Sequence, residues 1–262
     1  LVTLRASMAF LALFLWLFLR NPGQLRIEAK DILFFAVFGF VGITLNYLSY
    51  FEALKRTSAT TAAIILYTAP AFVALGATLF FREKLTKMKV AALIMAFIGC
   101  FLVAGGYDRN LLALNPTGIM PGLIAAITYA SYTLLSKHAL SKYSSWTTVL
   151  YSFGFGGLFL MCFAGRSLTQ IADFPPQVWL LTMGLVLGPT LTAYTLYVLA
   201  LRYIEATDAG IICMAEPAST ALLAYAILDE RLVGWQLVGA ALVLIGIFLI
   251  QAQKSAHGSC LL

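Results

Sequence analysis

Long apolar runs alternate with short polar segments along almost the whole chain. Nine runs are long enough to cross a hydrocarbon layer ~30 Å thick as helices. They lie near residues 1–19, 31–54, 57–81, 86–106, 117–139, 145–165, 177–202, 207–228 and 232–251. The segments between them, such as NPGQLRIEAKD and TQIADFPPQ, are short and contain turn-forming residues. The pattern predicts an all-α polytopic membrane protein without a separate soluble domain.

An internal repeat appears when the chain is compared with itself at an offset of 147 residues. YFEALKRTSATTAAIILYTAPAFVALGATLFFREKL then aligns without gaps on YVLALRYIEATDAGIICMAEPASTALLAYAILDERL. Pro70 coincides with Pro217, and Glu83 coincides with Glu230. Apolar helices that matched only by composition would not place both prolines and both glutamates in register, so we interpret the match as a duplicated unit.

The offset also predicts the domain organisation. We expect a first repeat over residues 1–106, a second over 117–251 and a tail over 252–262. The run at 117–139 has its counterpart before Leu1, so we expect the first repeat to lack its first helix. That leaves nine of the ten helices of two five-helix repeats. An odd number of helices in each repeat predicts opposite orientations in the membrane. A chain that begins with leucine and has no basic leader favours a truncated reading frame over a cleaved signal peptide.

Composition and charge agree with membrane insertion. Hydrophobic residues make up 61% of the chain and charged residues 11%. Eleven Lys and Arg residues lie in one alternate set of loops against five in the other, so the first set is predicted to be cytoplasmic. The hairpin at 82–89 should then face the cytoplasm and the one at 229–234 the outside. Orientation accounts for the net charge of +6, so nucleic acid is not required as a partner.

Several short motifs of the sequence resemble those of a known family. ALKRTSAT and ALRYIEAT, the proline within the next apolar run, FFREKL and LDERL, and a glycine in the last helix of each half are similar to the EamA family of the drug/metabolite transporter superfamily. The resemblance implies ten helices in two inverted repeats. It also implies a multi-pass protein of the inner membrane that exports amino acids or similar small metabolites.

Other classes of function remain as alternatives. A non-transporting membrane protein, an intramembrane enzyme and an inactive truncated fragment are the three that we retain. The sequence contains no HExxH or GxSxG motif, and the cysteines and histidines lack a metal-binding spacing. Without a phosphate-binding GxxxxGK[ST] loop, a transporter would use a substrate or ion gradient. We therefore predict no catalytic residue, cofactor or metal, and leave proton coupling open.

Aromatic and polar residues inside the apolar runs are the first candidates for binding substrate. Tyr129 and Tyr132 belong to a stripe with Ala125 and Ser136 on one helix face. Asn46 and Tyr50 are four residues apart on another helix, and Tyr197 is the repeat counterpart of Tyr50. We predict that Asn46, Tyr50, Tyr129, Tyr132 and Tyr197 contact substrate. The alternative is a stripe that only packs the core.

The second group of candidates surrounds the two prolines. Pro70 and Pro217 cannot donate a backbone hydrogen bond, so we predict a hinge at each. Glu216 lies near the middle of its run, where a carboxylate is costly unless it faces protein or water. We predict that Glu216 and Thr220, on one face with Cys213, bind the amino group of a substrate or a counter-transported proton. The alternative is a protonated glutamate that bonds a neighbouring helix.

Overall fold

The structure is a computed structural model that describes residues 2–165, 174–228 and 233–258, with side chains up to residue 252. Within these ranges every regular element is helical. The α-helices are α1 (Val2–Arg20), α2 (Ile32–Gly39), α3 (Asn46–Arg56), α4 (Ala59–Leu66), α5 (Ala69–Phe81), α6 (Lys87–Val103), α7 (Pro116–Ala139), α8 (Ser145–Ala164), α9 (Pro176–Leu185), α10 (Ala193–Ala200), α11 (Ala206–Cys213), α12 (Ala215–Leu228) and α13 (Gly234–Gly258).

The helices match the predicted membrane spans closely. Eight helical segments in the described ranges are long and apolar enough to cross a membrane. The ninth predicted run corresponds to α6, whose 17 residues extend ~26 Å. The prediction of an all-α polytopic membrane protein is confirmed. Arg166 and the turn residues 229–232, which we used for the predicted orientation, lie outside the described residues.

Two spans contain a π-helical turn that the apolar pattern does not reveal. One turn, Phe40–Leu45, joins α2 to α3, and the other, Val186–Thr192, joins α9 to α10. The 147-residue offset places residues 40–45 on 187–192, so the two turns occupy equivalent positions. In the second turn Pro189 removes a backbone donor, and Thr190 Oγ1 donates to the Leu185 carbonyl at 2.8 Å.

The chain divides into two compact units that do not coincide with the sequence repeats. The first unit contains Leu1–Leu48 and Ser131–Tyr203, and the second contains Ser49–Ala130 and Ile204–Leu262. The chain passes between them within α3, within α7 and after Tyr203. Each unit therefore draws on both halves of the sequence.

Aromatic side chains and close helix contacts form the core of the first unit. Phe35, Phe38 and Phe153 are fully buried there. Helix α2 approaches α8 so closely that a Cβ atom on Gly39 would lie 2.6 Å from the backbone nitrogen of Gly156. Small residues allow such approaches between helices in lipid, where no hydrophobic driving force brings them together.

In the second unit, α6 and α13 pack through glycines at repeat-related positions. A Cβ atom on Gly99 would lie 2.6 Å from the carbonyl oxygen of Gly239. A Cβ atom on Gly246 would lie 2.9 Å from the carbonyl oxygen of Ala92. The offset relates Gly99 to Gly246 and Ala92 to Gly239, so the two contacts are counterparts. The repeat-related segments of α6 and α13 thus pack against each other through equivalent pairs.

Candidate functional site

The two spans that contain the repeat-related prolines Pro70 and Pro217 are interrupted, and both interruptions lie in the second unit. Helix α4 ends at Leu66 and α5 begins at Ala69, whereas α11 ends at Cys213 and α12 begins at Ala215. Each proline lies in the first turn of the following helix, where its missing N–H costs no intrahelical bond. A break therefore precedes each proline, and the hinge role stays a prediction.

A cavity of about 40 Å³ lies at the two interruptions. Three pairs of its lining residues are separated by the repeat offset: Leu66 with Cys213, Tyr67 with Met214, and Ala69 with Glu216. The remaining lining residues are Pro70, Tyr129 and Gly210. The cavity is thus formed by equivalent segments of the two broken helices, together with one tyrosine of α7.

Glu216 is the acidic residue of this cavity. Its side chain is exposed, whereas Ala69 and Met214 in the same lining are buried. It lies close to the middle of the 22-residue span Ala206–Ile227, ~15 Å from either end. None of the described lining residues is basic. The carboxylate therefore has access to the cavity without a counter-charge on its wall.

The structure brings only part of the predicted site together around Glu216. Tyr129 and Pro70 line the same cavity, and Tyr50 lies within electrostatic range of the Glu216 carboxylate. Pro217 is buried directly beside Glu216 in the sequence. Cys213 and Glu216 both line the cavity across the break at Met214. Thr220 is exposed and lies outside the lining, one turn further along α12, so its contact with substrate stays a prediction.

The other predicted contacts belong to the first unit. Tyr132 is 4% exposed and packs its ring against Phe38 and Tyr194, with centroids 5.2 Å apart in both pairs. The hydroxyl of Tyr197 lies 2.7 Å from Thr133 Oγ1. Asn46 is buried at the start of α3. In this unit the predicted tyrosines take part in core packing and hydrogen bonding, and their contact with substrate stays a prediction.

An ionic network at the start of α11 was missed by the sequence reasoning. Lys89 is paired with Glu205 and lies 3.4 Å from Asp208 Oδ1. The side chain of Lys89 is 8% exposed, and that of Asp208 is fully buried. Lys89 had been counted as an ordinary loop charge. The available signal was Asp208 itself, an acid within a predicted span.

Glu83, in the hairpin at residues 82–89, also contacts the start of α11. Its carboxylate accepts hydrogen bonds from the backbone N–H groups of Ala206 and Thr207, at 2.7 and 3.1 Å. It also accepts one from the Thr207 hydroxyl at 2.7 Å. A carboxylate at a helix N-terminus satisfies unpaired donors and favours the helix dipole. The glutamate of FFREKL therefore anchors α11.

Comparison with known proteins decides the family. Residues 1–105 and 116–252 match the EamA-like transporter family. The chain belongs to the EamA-like transporter family. A transporter from Archaeoglobus fulgidus, described as uncharacterized, is 29% identical over 93% of this chain and 85% of its own length. The uncharacterized transporter YxxF of Bacillus subtilis is 30% identical over 94% of this chain and 78% of its own.

Further relatives agree with this assignment. The uncharacterized inner membrane transporter YicL of Salmonella typhimurium is 26% identical over 84% of this chain and 73% of its own length. A solved crystal structure superposes with a TM-score of 0.80 over 96% of this chain and 86% of its own. At 18% identity that likeness shows the fold alone. This EamA-like chain is a multi-pass membrane transporter.

Proposed function

We propose that this EamA-like protein is a secondary transporter that exports amino acids or similar small metabolites across the inner membrane by alternating access. In this proposal Glu216 binds the amino group of the substrate or a counter-transported proton. The observation that carries it is an accessible carboxylate, in the middle of a span, on a cavity whose described lining has no base. Acids at membrane depth are costly and mark substrate or ion pathways.

The composition of the cavity supports a positively charged occupant. Tyr67 and Tyr129 line it together with Glu216. Aromatic faces attract cations, and a carboxylate accepts hydrogen bonds from an ammonium group. An anion would meet no complementary charge among the described lining residues. The wall therefore favours an ammonium group or a proton.

The cavity is small in this conformation, with a volume of about 40 Å³. It has room for a few water molecules or for the ammonium group of a substrate at Glu216.

The broken helices supply a reason to expect conformational change at this cavity. Interrupted helices in inverted-repeat transporters place backbone groups and binding residues near the middle of the membrane. Here both interruptions border one cavity, at Tyr67 and Met214. Small rotations about either break would reshape the wall that carries Glu216. This is the physical basis for alternating access and for the hinges at Pro70 and Pro217.

Reconstitution into proteoliposomes tests the proposal. Counterflow of radiolabelled amino acids should be measured for the wild-type protein, for Glu216→Gln and for the control Glu52→Gln, which changes an exposed acid of α3. If Glu216 binds the amino group, Glu216→Gln loses counterflow at every pH. If it binds a proton, the variant keeps counterflow and loses transport driven by a pH gradient.

Two results would contradict the proposal. Wild-type counterflow with an unchanged pH profile in Glu216→Gln would remove Glu216 from the mechanism. If the wild-type protein transported none of the amino acids and small metabolites tested, the proposed substrate class would be wrong. The control Glu52→Gln should transport normally, so loss in that variant would show a general defect in reconstitution.

A further inference from the structure

The two helices that precede the breaks both end at the Glu216 cavity. Helix α4 ends at Leu66 and helix α11 ends at Cys213, and both of these last residues line the cavity within the second unit. The last carbonyl groups of a helix have no intrahelical donor, and together they give the C-terminus a partial negative charge. The cavity therefore lies at two helix ends that favour a cation.

The two prolines remove the usual donor of one carbonyl group at each helix end. In a continuous helix, the carbonyl of Leu66 would accept from the N–H of residue 70, and that of Cys213 from the N–H of residue 217. Those residues are Pro70 and Pro217, which have no N–H. The offset of 147 residues relates the two pairs, so both copies share this backbone arrangement at the cavity.

The ligands that this site can offer are oxygen atoms. Glu216 can supply a carboxylate, and the helix ends at Leu66 and Cys213 can supply carbonyl oxygens. In inverted-repeat transporters with broken helices, carbonyl groups and helix C-termini near the middle of the membrane bind Na⁺ or protons. A proton needs only the carboxylate, whereas a metal ion needs several oxygen ligands. The paired helix ends therefore favour Na⁺ over a proton.

The charge and size of the cavity favour a small monovalent ion. One carboxylate balances one positive charge, and none of the described lining residues is basic. Among the residues that the structure describes, no three His, Cys, Asp or Glu side chains form a group that could hold a metal ion. A divalent ion would thus stay partly unneutralised, which is costly at membrane depth. The volume of about 40 Å³ leaves room for one small cation.

We propose that this cavity binds Na⁺ at Glu216, in exchange for the ammonium group of the transported metabolite. Both cations would use the same carboxylate in a space that holds one of them, so each binds only after the other has left. Entry of Na⁺ down its gradient can then drive export of the amine. The proposal rests on the proposed function and adds to it the ion that competes with the substrate.

Thermal unfolding of the purified protein in detergent tests binding without transport. NaCl, KCl, methylammonium chloride and choline chloride should be compared at one ionic strength, with methylammonium as the probe for a substrate amine. A ligand that binds the folded state raises the midpoint of unfolding. Relative to choline, we expect Na⁺ and methylammonium to raise it, and K⁺ to raise it less. Glu216→Gln should lose the Na⁺ effect, whereas the control Glu52→Gln should keep it.

Competition shows whether the two cations share the site. At a Na⁺ concentration about ten times its own dissociation constant, simple competition raises the apparent dissociation constant of methylammonium about tenfold. K⁺ at the same concentration should raise it less. An apparent dissociation constant that Na⁺ leaves unchanged would mean two separate sites and would overturn the exchange.

Proline variants test the contribution of the helix ends. Pro70→Ala and Pro217→Ala each supply an N–H that can occupy the carbonyl of Leu66 or Cys213. Each variant should weaken Na⁺ binding about fivefold, as loss of one hydrogen-bond-sized interaction implies. The unfolding midpoint in choline should stay close to the wild-type value. Pro121→Ala is the matched control, because Pro121 lies inside α7 and outside the cavity lining.

Several results would overturn the Na⁺ site. They are a wild-type protein that Na⁺ does not stabilise relative to choline, a Na⁺ effect that persists in Glu216→Gln, and equal effects of Na⁺ and K⁺. Unchanged Na⁺ affinity in both proline variants would remove the helix ends from the site. If Glu216→Gln cannot be purified, the salt series and the competition with methylammonium on the wild-type protein decide the same question.

Proteoliposomes separate this proposal from the proposed function. An inward Na⁺ gradient should drive net export of the amino acids that show counterflow, whereas counterflow itself should continue in choline because the amine replaces Na⁺ at Glu216. Counterflow without Na⁺ binding refutes only the Na⁺ proposal. Na⁺ binding without counterflow of any metabolite refutes the proposed transport and leaves the ion site. Net export driven by a pH gradient in choline would assign the coupling to protons and overturn the proposal.

Discussion

The broken helices α4–α5 and α11–α12 share the same backbone arrangement but differ in the charge of their side chains. Each is interrupted just before its proline, and each contributes equivalent residues to one cavity. Yet Ala69 in the first stands where Glu216 stands in the second. The two repeat-related segments therefore share the break and its position, whereas only one of them carries the charge. The difference teaches that the acid is no requirement of the broken-helix architecture.

The N-terminal ends of these two spans also differ in charge, and again the second copy carries the acidic residues. Ser58 caps the N-terminus of α4, and its hydroxyl accepts a hydrogen bond from the Thr61 N–H at 3.1 Å. In the second copy the offset places Glu205 and Asp208 at those positions, and the helix start is held by Glu83 and Lys89. A neutral local cap in one copy thus corresponds to a buried ionic network in the other.

Moving the acid across the repeat should have the largest effect on transport. In Glu216→Ala combined with Ala69→Glu, the carboxylate changes wall within the same cavity. Ala69 is only 1% exposed, so a carboxylate there would be poorly accessible. We expect flux in proteoliposomes to fall to less than about a tenth of the wild-type value, a loss of about 1.4 kcal/mol or more in transition-state stabilisation. Flux near the wild-type level would show that the two walls are interchangeable.

Breaking the buried network should have the largest effect on stability. Lys89→Met leaves Asp208 buried without its cation, and breaking such a pair costs about 3–5 kcal/mol. Unfolding in detergent, followed by circular dichroism, should show the loss. Lys89→Met combined with Asp208→Leu should recover much of it, since no buried charge remains between the two. A single variant as stable as the wild type would contradict the energetic role of the pair.

An exposed lysine between two acids supplies the matched control. Lys142 contacts Glu28 at 2.6 Å and Asp31 at 2.5 Å, and it is 37% exposed. The carboxylates raise the pKa of Lys142, and hydrogen bonds from Lys142 and Lys30 lower the pKa of Glu28. Because water screens exposed pairs, Lys142→Met should leave stability nearly unchanged. A loss equal to that of Lys89→Met would mean that burial is not what separates the two clusters.

The two helix caps should rank below the network. Glu83→Ala removes the acceptor for two backbone N–H groups of α11 and should destabilise by about 1–2 kcal/mol. Ser58→Ala removes one acceptor from α4 and should cost about 1 kcal/mol. Denaturant or thermal unfolding of both variants measures the order. A larger loss of stability for Ser58→Ala than for Glu83→Ala would contradict this ranking of the two helix caps.

Removing each proline should change stability least. Pro70 and Pro217 lie in the first turn of α5 and α12, where alanine is also compatible, so each change to alanine should alter stability by less than about 1 kcal/mol. If the breaks act as hinges, flux should fall while stability holds. If flux and stability both stayed at wild-type values, the prolines would mark the helix starts without acting as hinges.

Several parts of the fold and site follow from sequence for identifiable reasons. The spans could be predicted because a hydrocarbon layer needs about 20 apolar residues whatever their order. The breaks before Pro70 and Pro217 follow from the missing proline donors. Glu216 stood out because a carboxylate inside an apolar run is costly. The π-helical turn at Phe40–Leu45 has no such marker in the sequence.

By itself, the sequence determined the apolar spans and their helical state, because solvation in lipid acts locally along the chain. Only the tertiary structure decided which side chains meet. It placed Tyr129 with Glu216, Tyr132 in an aromatic core, and Lys89 beside Asp208. Spacing along a helix gives the face of a residue but not the partner of that face. That partner depends on how helices distant in sequence pack, and so do the burial and charge balance of each site.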